Sequence, residues 1–430
     1  MKIACIGTGF VGVVTTAVLA KLGHQVVGLD INESRIKSLK KGKVPFFEPG
    51  LSELLVKTQD SGNLTFTTNY KEAITNADIV MIMVGTPSAP DGQADLKYVV
   101  ASSKSAAPYL KDSVIIIIKS TVPPGTNKLI RDTIEPLTTV SFDIASVPEF
   151  LREGTAVEDT LHPDRVLIGS NNENTIKILK KLHQPLSNNI IVVKPESAQM
   201  AKYASNTYLA MRITYANQIA NLCEKNGADV EEVLAGIGAD SRIGTHYWYP
   251  GLGYGGSCFP KDVKEISAYA KSIGESESIF IAVDDLNEKR IPKLMTQYDK
   301  LVGGFANKKV AILGLSFKKN TNDTRVAPAL SVIPWLINKD AIVTATDPQA
   351  IKEIKPLLPT EVQYADDPYS AIKDTSVVIL LVEWDQYQNL DLARIASSMQ
   401  NPKYFIDTRN QYNPIQATKV GLQYKGVGRG

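Results

Sequence analysis

At 430 residues, 43% apolar and 21% charged, the chain can hold two or three domains with ample core, and its composition is that of a globular protein. A formal net charge of +2 gives no basis for binding nucleic acid or an anionic membrane. Three scattered cysteines, Cys5, Cys223 and Cys258, make no disulfide framework and favour a reducing compartment, and no histidine has metal-ligand spacing with a cysteine, so no metal is expected.

The first predicted strand covers residues 3–7 and runs into Gly7, Thr8, Gly9, Phe10, Val11 and Gly12, followed by a helix over 12–23 and a strand over 25–30 that ends on Asp30. Strand, glycine triplet, helix, strand and terminal acid form the dinucleotide-binding fingerprint in its required context. Gly7 makes the tight turn, Gly9 clears room for a pyrophosphate, and Gly12 lets helix and strand pack closely. Asp30 is placed to accept from ribose hydroxyls and to repel a 2′-phosphate, which favours NAD over NADP. Arg35 is either a further cofactor contact or a solvated charge at a helix start. The same glycines interrupt the apolar stretch over 1–22 that would otherwise imitate a secretory signal. No other apolar run reaches membrane-spanning length, so a cytosolic protein with no membrane partner is expected.

A helix over 51–57 and strands over 79–84, 114–119 and 144–147 continue an alternation that predicts a parallel sheet covered on both faces. Two segments follow strand ends, where such sheets bind ligands: Gly85, Thr86 and Pro87, and the stretch 120–125 with Ser120 and Thr121. Both could be plain turn chemistry; their position relative to the fingerprint favours cofactor contact. The segment 148–154 carries Glu149 and Glu153, four apart and on one face if that turn is helical. From 197 to 226 apolar residues recur at helical spacing without glycine or proline, which predicts one helix of roughly 45 Å stopped by Gly227. Such a helix is either a two-fold contact or simply buried between domains. Lys202 and Asn206 lie four apart beside its apolar stripe. After a break at Gly303 and Gly304, strands over 310–314, 341–346, 377–382 and 404–406 begin a second unit. The fold class is therefore α/β, with two Rossmann-like doubly wound domains, 1–196 and 301–430, joined by a long central helix and a helical middle domain, 197–300.

The decapeptide 253–262, Gly-Tyr-Gly-Gly-Ser-Cys-Phe-Pro-Lys-Asp, carries the most chemical information. Its glycines allow close backbone approach to a ligand, and Pro260 suits the first turn of a helix. That places Cys258 just before a helix N-terminus, with Lys261 nearby, a setting that favours the nucleophilic thiolate. A cysteine alone is more often a small packing residue. An NAD site with an activated cysteine predicts two oxidations at one carbon: alcohol to aldehyde, thiolate capture as a thiohemiacetal, a second hydride removal to a thioester, then hydrolysis. Lys202 and Asn206 fit an oxyanion, and Glu149 fits the activation of water.

These segments together resemble the UDP-glucose/GDP-mannose dehydrogenase family, from residue 1 to nearly 430. The marks are the fingerprint at 7–12, Phe-Glu-Pro-Gly-Leu at 47–51, Gly-Thr-Pro at 85–87, Ser-Thr-Val-Pro at 120–123, Pro-Glu-Phe-Leu-Arg-Glu-Gly at 148–154, the stretch 202–206, the cysteine decapeptide, and Gly-Leu-Ser-Phe-Lys at 314–318. The resemblance implies four-electron oxidation of UDP-glucose to UDP-glucuronate with two NAD per turnover. It implies Cys258 as nucleophile, Glu149 as the hydrolytic base, Lys202 at the oxyanion, Asn206 orienting substrate, and Thr121 with Asp262 holding the water. Phe10, Val11, Glu153, Lys261 and Arg325 fall to the cofactor. Phe150, Leu151, Tyr247, Gly255, Phe317, Lys318 and Arg409 fall to the substrate, and Arg242 to a neighbouring subunit's substrate, hence a homodimer at least. Leu252 replaces a usual aromatic, and Val326 with Ala327 replaces a more polar pair, which leaves sugar and nucleotide preference less secure. GDP-mannose and UDP-N-acetylmannosamine are the rival substrates. A two-electron hydroxyacid dehydrogenase with a structural Cys258, or a non-catalytic NAD-binding protein, are the readings from other classes.

Overall fold

The computed structural model describes residues 1–275 and 278–429. Contacts divide the chain into two compact units, 1–205 with 268–274, and 206–267 with 275–430.

The first unit holds eight strands: β1 (Lys2–Ile6), β2 (Gln25–Leu29), β3 (Leu64–Thr67), β4 (Ile79–Ile82), β5 (Val114–Ile118), β6 (Phe142–Ser146), β7 (Val166–Gly169) and β8 (Ile190–Val193). They lie in the order β3-β2-β1-β4-β5-β6-β7-β8. The first six are parallel, and the order reverses between β1 and β4, the switch point at which doubly wound sheets bind ligands. Alternate residues of one strand feed opposite faces: Ile115 and Ile117 join one apolar cluster, Ile116 and Ile118 the other. Burial on both faces is why β4 and β5 read as unbroken apolar runs.

The second unit holds β9 (Lys309–Leu313), β10 (Ile342–Thr346), β11 (Gln363–Tyr364), β12 (Val377–Leu380), β13 (Tyr404–Asp407) and β14 (Gln423–Gly426), all parallel, in the order β11-β10-β9-β12-β13-β14. Relabelled from its own first strand, this is the same 3-2-1-4-5-6 order as the first six strands of the other sheet. The long helix spans Pro195–Asn226. Proline suits its first position, and Gly227 takes a left-handed φ of +79° just past its end.

Two expectations are corrected. The first sheet is not parallel throughout: β7 meets β6 antiparallel, and β8 follows β7. An antiparallel neighbour begins at the edge where β6 ends, so the 148–155 loop and the short helix Ala156–Leu161 join the two strands without carrying the chain back across the sheet. That same loop is not helical, so the four-residue spacing of Glu149 and Glu153 does not set them on one helical face. Among the described residues, no helix is long and apolar enough to cross a membrane.

Candidate active site

In the first unit the fingerprint loop joins β1 to the helix Phe10–Lys21. Gly12 cannot be replaced without movement, since a Cβ there would lie 1.9 Å from the Gly7 carbonyl oxygen. Gly9, by contrast, has open space where a Cβ would stand, and it caps the helix with no side chain. The first amide N–H groups of that helix are therefore not capped by a side chain of Gly9, the requirement for a pyrophosphate. Asp30, 8% exposed, follows β2. It accepts from the Thr8 amide at 2.8 Å, the Thr8 hydroxyl at 2.9 Å and the Asn32 amide at 3.0 Å, and pairs with Arg35 at 3.0 Å. Burial pushes its carboxyl up, but these hydrogen bonds and the Arg35 charge outweigh burial and hold it below the usual carboxylate range. Arg35 is therefore a partner of Asp30. Phe10 packs on Phe46, ring centroids 4.8 Å apart.

The strand-end loops on the other side of the switch point are tied to each other. Thr86 donates to the Thr121 carbonyl at 2.8 Å, and Ser120 donates to the Val84 carbonyl at 2.7 Å. Gly85 and Pro87 flank Thr86 in that loop. The 148–154 loop is fixed by Glu48, a buried residue to which the sequence analysis gave no role: its carboxylate accepts from the amides of Gly154 and Ala156 at 2.6 and 2.7 Å. Glu149 and Lys202 form a buried ion pair at 2.8 Å, their side chains 9% and 4% exposed. The second Glu149 oxygen accepts from the Leu151 amide at 2.8 Å. Phe150 lies beneath Lys202 and Arg165, 5.5 and 3.9 Å from its ring centroid. Gln199, one turn before Lys202, holds Gly125, Asn127 and Ser146 together and so fixes the start of the long helix.

In the second unit Cys258 immediately precedes the helix Phe259–Ser272, and its carbonyl accepts from the Asp262 amide at 2.8 Å. It is the N-cap residue, as its sequence setting predicted, and it is exposed, whereas Cys5 and Cys223 are buried. Burial pushes the Cys5 thiol up to about 12. Asp262, 1% exposed, is gripped from two sides: Asn206 donates to one carboxylate oxygen at 2.5 Å, and Lys261 pairs with the other at 2.7 Å. Lys261 also pairs with Glu265 at 3.0 Å. Burial would pull the Lys261 ammonium down, but these two carboxylates push it above its ordinary value.

The glycine loop before Cys258 is pinned by residues that lie far off in sequence and that sequence reasoning missed. Asn217 accepts from the Gly251 amide at 2.8 Å, buried Arg290 donates to the Gly251 carbonyl at 2.8 Å, and Asn287 accepts from the Tyr254 amide at 2.9 Å. Gly256 donates to the Arg325 carbonyl at 3.1 Å. Gly255 must be glycine, because a Cβ would stand 2.3 Å from the Val326 carbonyl oxygen. Val326 has a φ of +49°, an outlier for a β-branched residue. Phe317 lies against Gly256, Tyr247 packs on Phe259 with centroids 6.3 Å apart, and Lys318 follows Phe317. Arg409 donates to the Leu381 carbonyl at 2.7 Å and pairs with Glu383 at 3.2 Å. Arg325 and Arg242 are exposed and pair with Asp323 and Asp240 of their own loops.

The fingerprint loop and its acid define an NAD-dependent oxidoreductase of the doubly wound class. Three models of the UDP-glucose/GDP-mannose dehydrogenase family match the chain: the NAD binding domain over residues 1–187, the central domain over 196–289 and the UDP binding domain over 311–414. UDP-glucose 6-dehydrogenase TuaD of Bacillus subtilis (strain 168) is 42% identical, with 100% of this chain and 93% of that protein aligned. The structure of a UDP-glucose dehydrogenase from Pyrobaculum islandicum superposes with a TM-score of 0.92 at 37% identity, covering 100% of this chain and 98% of that one. That of a UDP-D-ManNAc dehydrogenase from Pyrococcus horikoshii gives 0.87 at 26% identity, with both chains covered in full. The chain belongs to the UDP-glucose/GDP-mannose dehydrogenase family.

Asp30→Ala is expected to reduce the preference for NAD over NADP by one to two orders of magnitude, as befits the loss of charge-assisted hydrogen bonds worth about 1.5–3 kcal/mol each. The substitution also releases Arg35 to meet a 2′-phosphate. The ratio of kcat/KM for the two cofactors reads this directly, and an unaltered ratio would reject the role of Asp30.

Proposed function

We propose that this enzyme oxidises the C6 alcohol of UDP-glucose to the carboxylate of UDP-glucuronate, through a thiohemiacetal and a thioester on Cys258. The observation that carries this reading is Cys258 itself, an exposed thiol at a helix N-cap, beside a Lys261–Asp262–Asn206 array that a packing cysteine would not need. The relatives that act on UDP-glucose support the choice of sugar.

NAD, once bound, supplies the acceptor for the two hydrides that C6 gives up. In this reading Cys258 Sγ adds to the C6 carbonyl left by the first oxidation, and the resulting oxyanion is met by Lys202 Nζ and the Asn206 amide. The second oxidation leaves C6 as a thioester. Thr121 and Asp262 hold the attacking water, Glu149 takes its proton, the C–S bond breaks, and Cys258 leaves as thiolate. The Lys202–Glu149 ion pair suits both tasks, because one carboxylate oxygen is balanced by the lysine while the group remains a proton acceptor. Residues 1–196 serve the cofactor, with Gly85, Thr86, Pro87, Ser120 and Glu153 beside the fingerprint, and Lys261 and Arg325 added from the later part of the chain. Residues 197–300 carry the nucleophile. Residues 301–430 hold the uridine diphosphate, with Phe317, Lys318 and Arg409 toward it and Tyr247 and Gly255 beside the sugar.

Assembly as a homodimer or higher oligomer belongs to the same proposal. Tyr208, Tyr215 and Leu222 recur every seven residues along the long helix and are 52%, 51% and 58% exposed, a seam that fits a second copy of the chain. Arg242, on an exposed loop, is assigned to the neighbour's substrate. Sedimentation showing only monomer at assay concentration would contradict this. A thiol that must remain reduced supports a cytoplasmic location.

The test is the NADH released per nucleotide sugar at exhaustion. Two per UDP-glucose is expected, with UDP-glucose preferred over GDP-mannose and UDP-N-acetylmannosamine. One per sugar would instead mark a two-electron dehydrogenase, none from any sugar an NAD-binding protein without this activity, and preference for another nucleotide sugar would move the substrate.

A further inference from the structure

Beneath the Glu149 loop, wholly within the first unit, lies a cavity of about 260 Å³, room for several waters. Its wall is mixed: Val18, Leu19, Met81, Val166 and Leu186 share it with titratable and hydroxyl groups. Lys119, at the end of β5, lines it with Nζ 3.4 Å from the Val147 carbonyl. Thr15, on the helix Phe10–Lys21, lines it with a hydroxyl that is buried and has no hydrogen-bond partner. His183, at the end of the helix Glu173–His183, lines it with Nδ1 donating to the Leu179 carbonyl at 2.9 Å, which leaves Nε2 as an acceptor. Glu149 lines it too. The exposed residues Arg152, Glu158, His162 and Asp164 line the outer side, with Asp159 and Arg165 half-buried behind them. The cavity thus connects the carboxylate that activates water to the protein surface.

The charged and titratable groups around Lys119 come from four elements: Cys5 on β1, Glu149 after β6, His183, and Lys202 on the long helix. Burial pulls the Lys119 ammonium down to about 8, against the attraction of Glu149 and with the repulsion of Lys202. Burial likewise pulls His183 down to about 4 and pushes Cys5 up to about 12. Of these last three groups, only Lys119 changes charge between about pH 7 and 9.

We propose that this cavity is the proton exit of the hydrolytic step and that Lys119 relays the proton from Glu149 to its water. The inference rests on the Cys258 thioester reading above. In the relay, attack on the thioester forms the C–O bond and transfers one water proton to Glu149. The carboxylic acid gives that proton, through cavity water, to the neutral Lys119 amine, the ammonium releases it to water nearer the surface, and Glu149 is again a base for the next turnover. Lys119 touches neither substrate nor cofactor; it acts through Glu149.

The experiment follows the thioester by intact mass after mixing enzyme with UDP-glucose and NAD, across pH 6–9, in wild type, K119M and K119R, with melting temperature and NAD affinity as controls of fold. In wild type, decay is expected to quicken as pH rises and level off above about 8, where the amine is neutral. Arginine keeps the charge but cannot release a proton, so K119R should slow decay as K119M does, by about 10–100-fold, and flatten the profile. Added methylamine or imidazole should restore decay in proportion to its concentration, with UDP-glucuronate and not the aminolysis product released. K119R carries the test should K119M lose the fold. Wild-type decay in K119R, or slow decay that no amine restores, overturns the relay. A wild-type enzyme that forms no thioester overturns the Cys258 reading instead.

Discussion

Cys258→Ser is expected to lower net acid formation by on the order of 10⁴-fold or more while leaving NAD affinity and melting temperature near wild type. The magnitude follows from losing a nucleophile whose partners cannot act without it, a loss that in concerted sites is as large as removing the whole array. The mechanism is electronic more than steric. Serine fits the same N-cap and is a better cap than cysteine, so the fold of the helix Phe259–Ser272 should not suffer. Its hydroxyl, however, is far less acidic than a thiol. The thiol sits where the helix dipole favours negative charge, with Lys261 three residues on, and a hydroxyl at the same place remains protonated at neutral pH. Unchanged turnover in C258S, measured as NADH per UDP-glucose, would end the covalent account.

Glu149→Gln is expected to slow thioester hydrolysis by about 10²–10⁴-fold, the usual contribution of a positioned general base. The two oxidations should be much less affected, so NADH should appear as a burst of two per active site followed by a slow phase. Gln is the informative substitution. The buried Lys202 pairs with Glu149 at 2.8 Å, and truncation to alanine would break that buried pair at a cost of about 3–5 kcal/mol. The amide oxygen of Gln can still accept from Lys202, and only the Leu151 amide, which bonds the other Glu149 oxygen at 2.8 Å, loses its acceptor, so the base is lost at the cost of one loop hydrogen bond. A steady rate without a burst would show that Glu149 does not serve hydrolysis.

What could be read in the sequence was what depends on neighbours in sequence. The turn from β1 to its helix needs glycine at Gly12 because the backbone passes itself there, and Asp30 ends β2 because a strand of that length places it beside the loop. Cys258 could be placed at a helix start because Pro260 marks the first turn. The long helix was legible from an unbroken period, to within two residues at its start. What escaped was set by distant residues. Nothing local says that β7 runs against β6, since a buried apolar strand reads the same in either direction. The short edge strands β11 and β14 lack alternation strong enough to show. Glu48 anchors the Glu149 loop from 106 residues away, and Arg290 clamps Gly251 across 39; each looks in sequence like an ordinary surface charge. Lys119 adjoins Ser120, but only the fold turns it toward a cavity shared with Glu149.

The most direct measurement is peptide mapping of Glu149→Gln after a brief reaction with UDP-glucose and NAD, quenched in acid. The account predicts an acyl adduct of the nucleotide sugar on the peptide containing Cys258, released by hydroxylamine as a thioester would be. A bare Cys258 peptide while two NADH have been formed per site, or an adduct on any other residue, would contradict it.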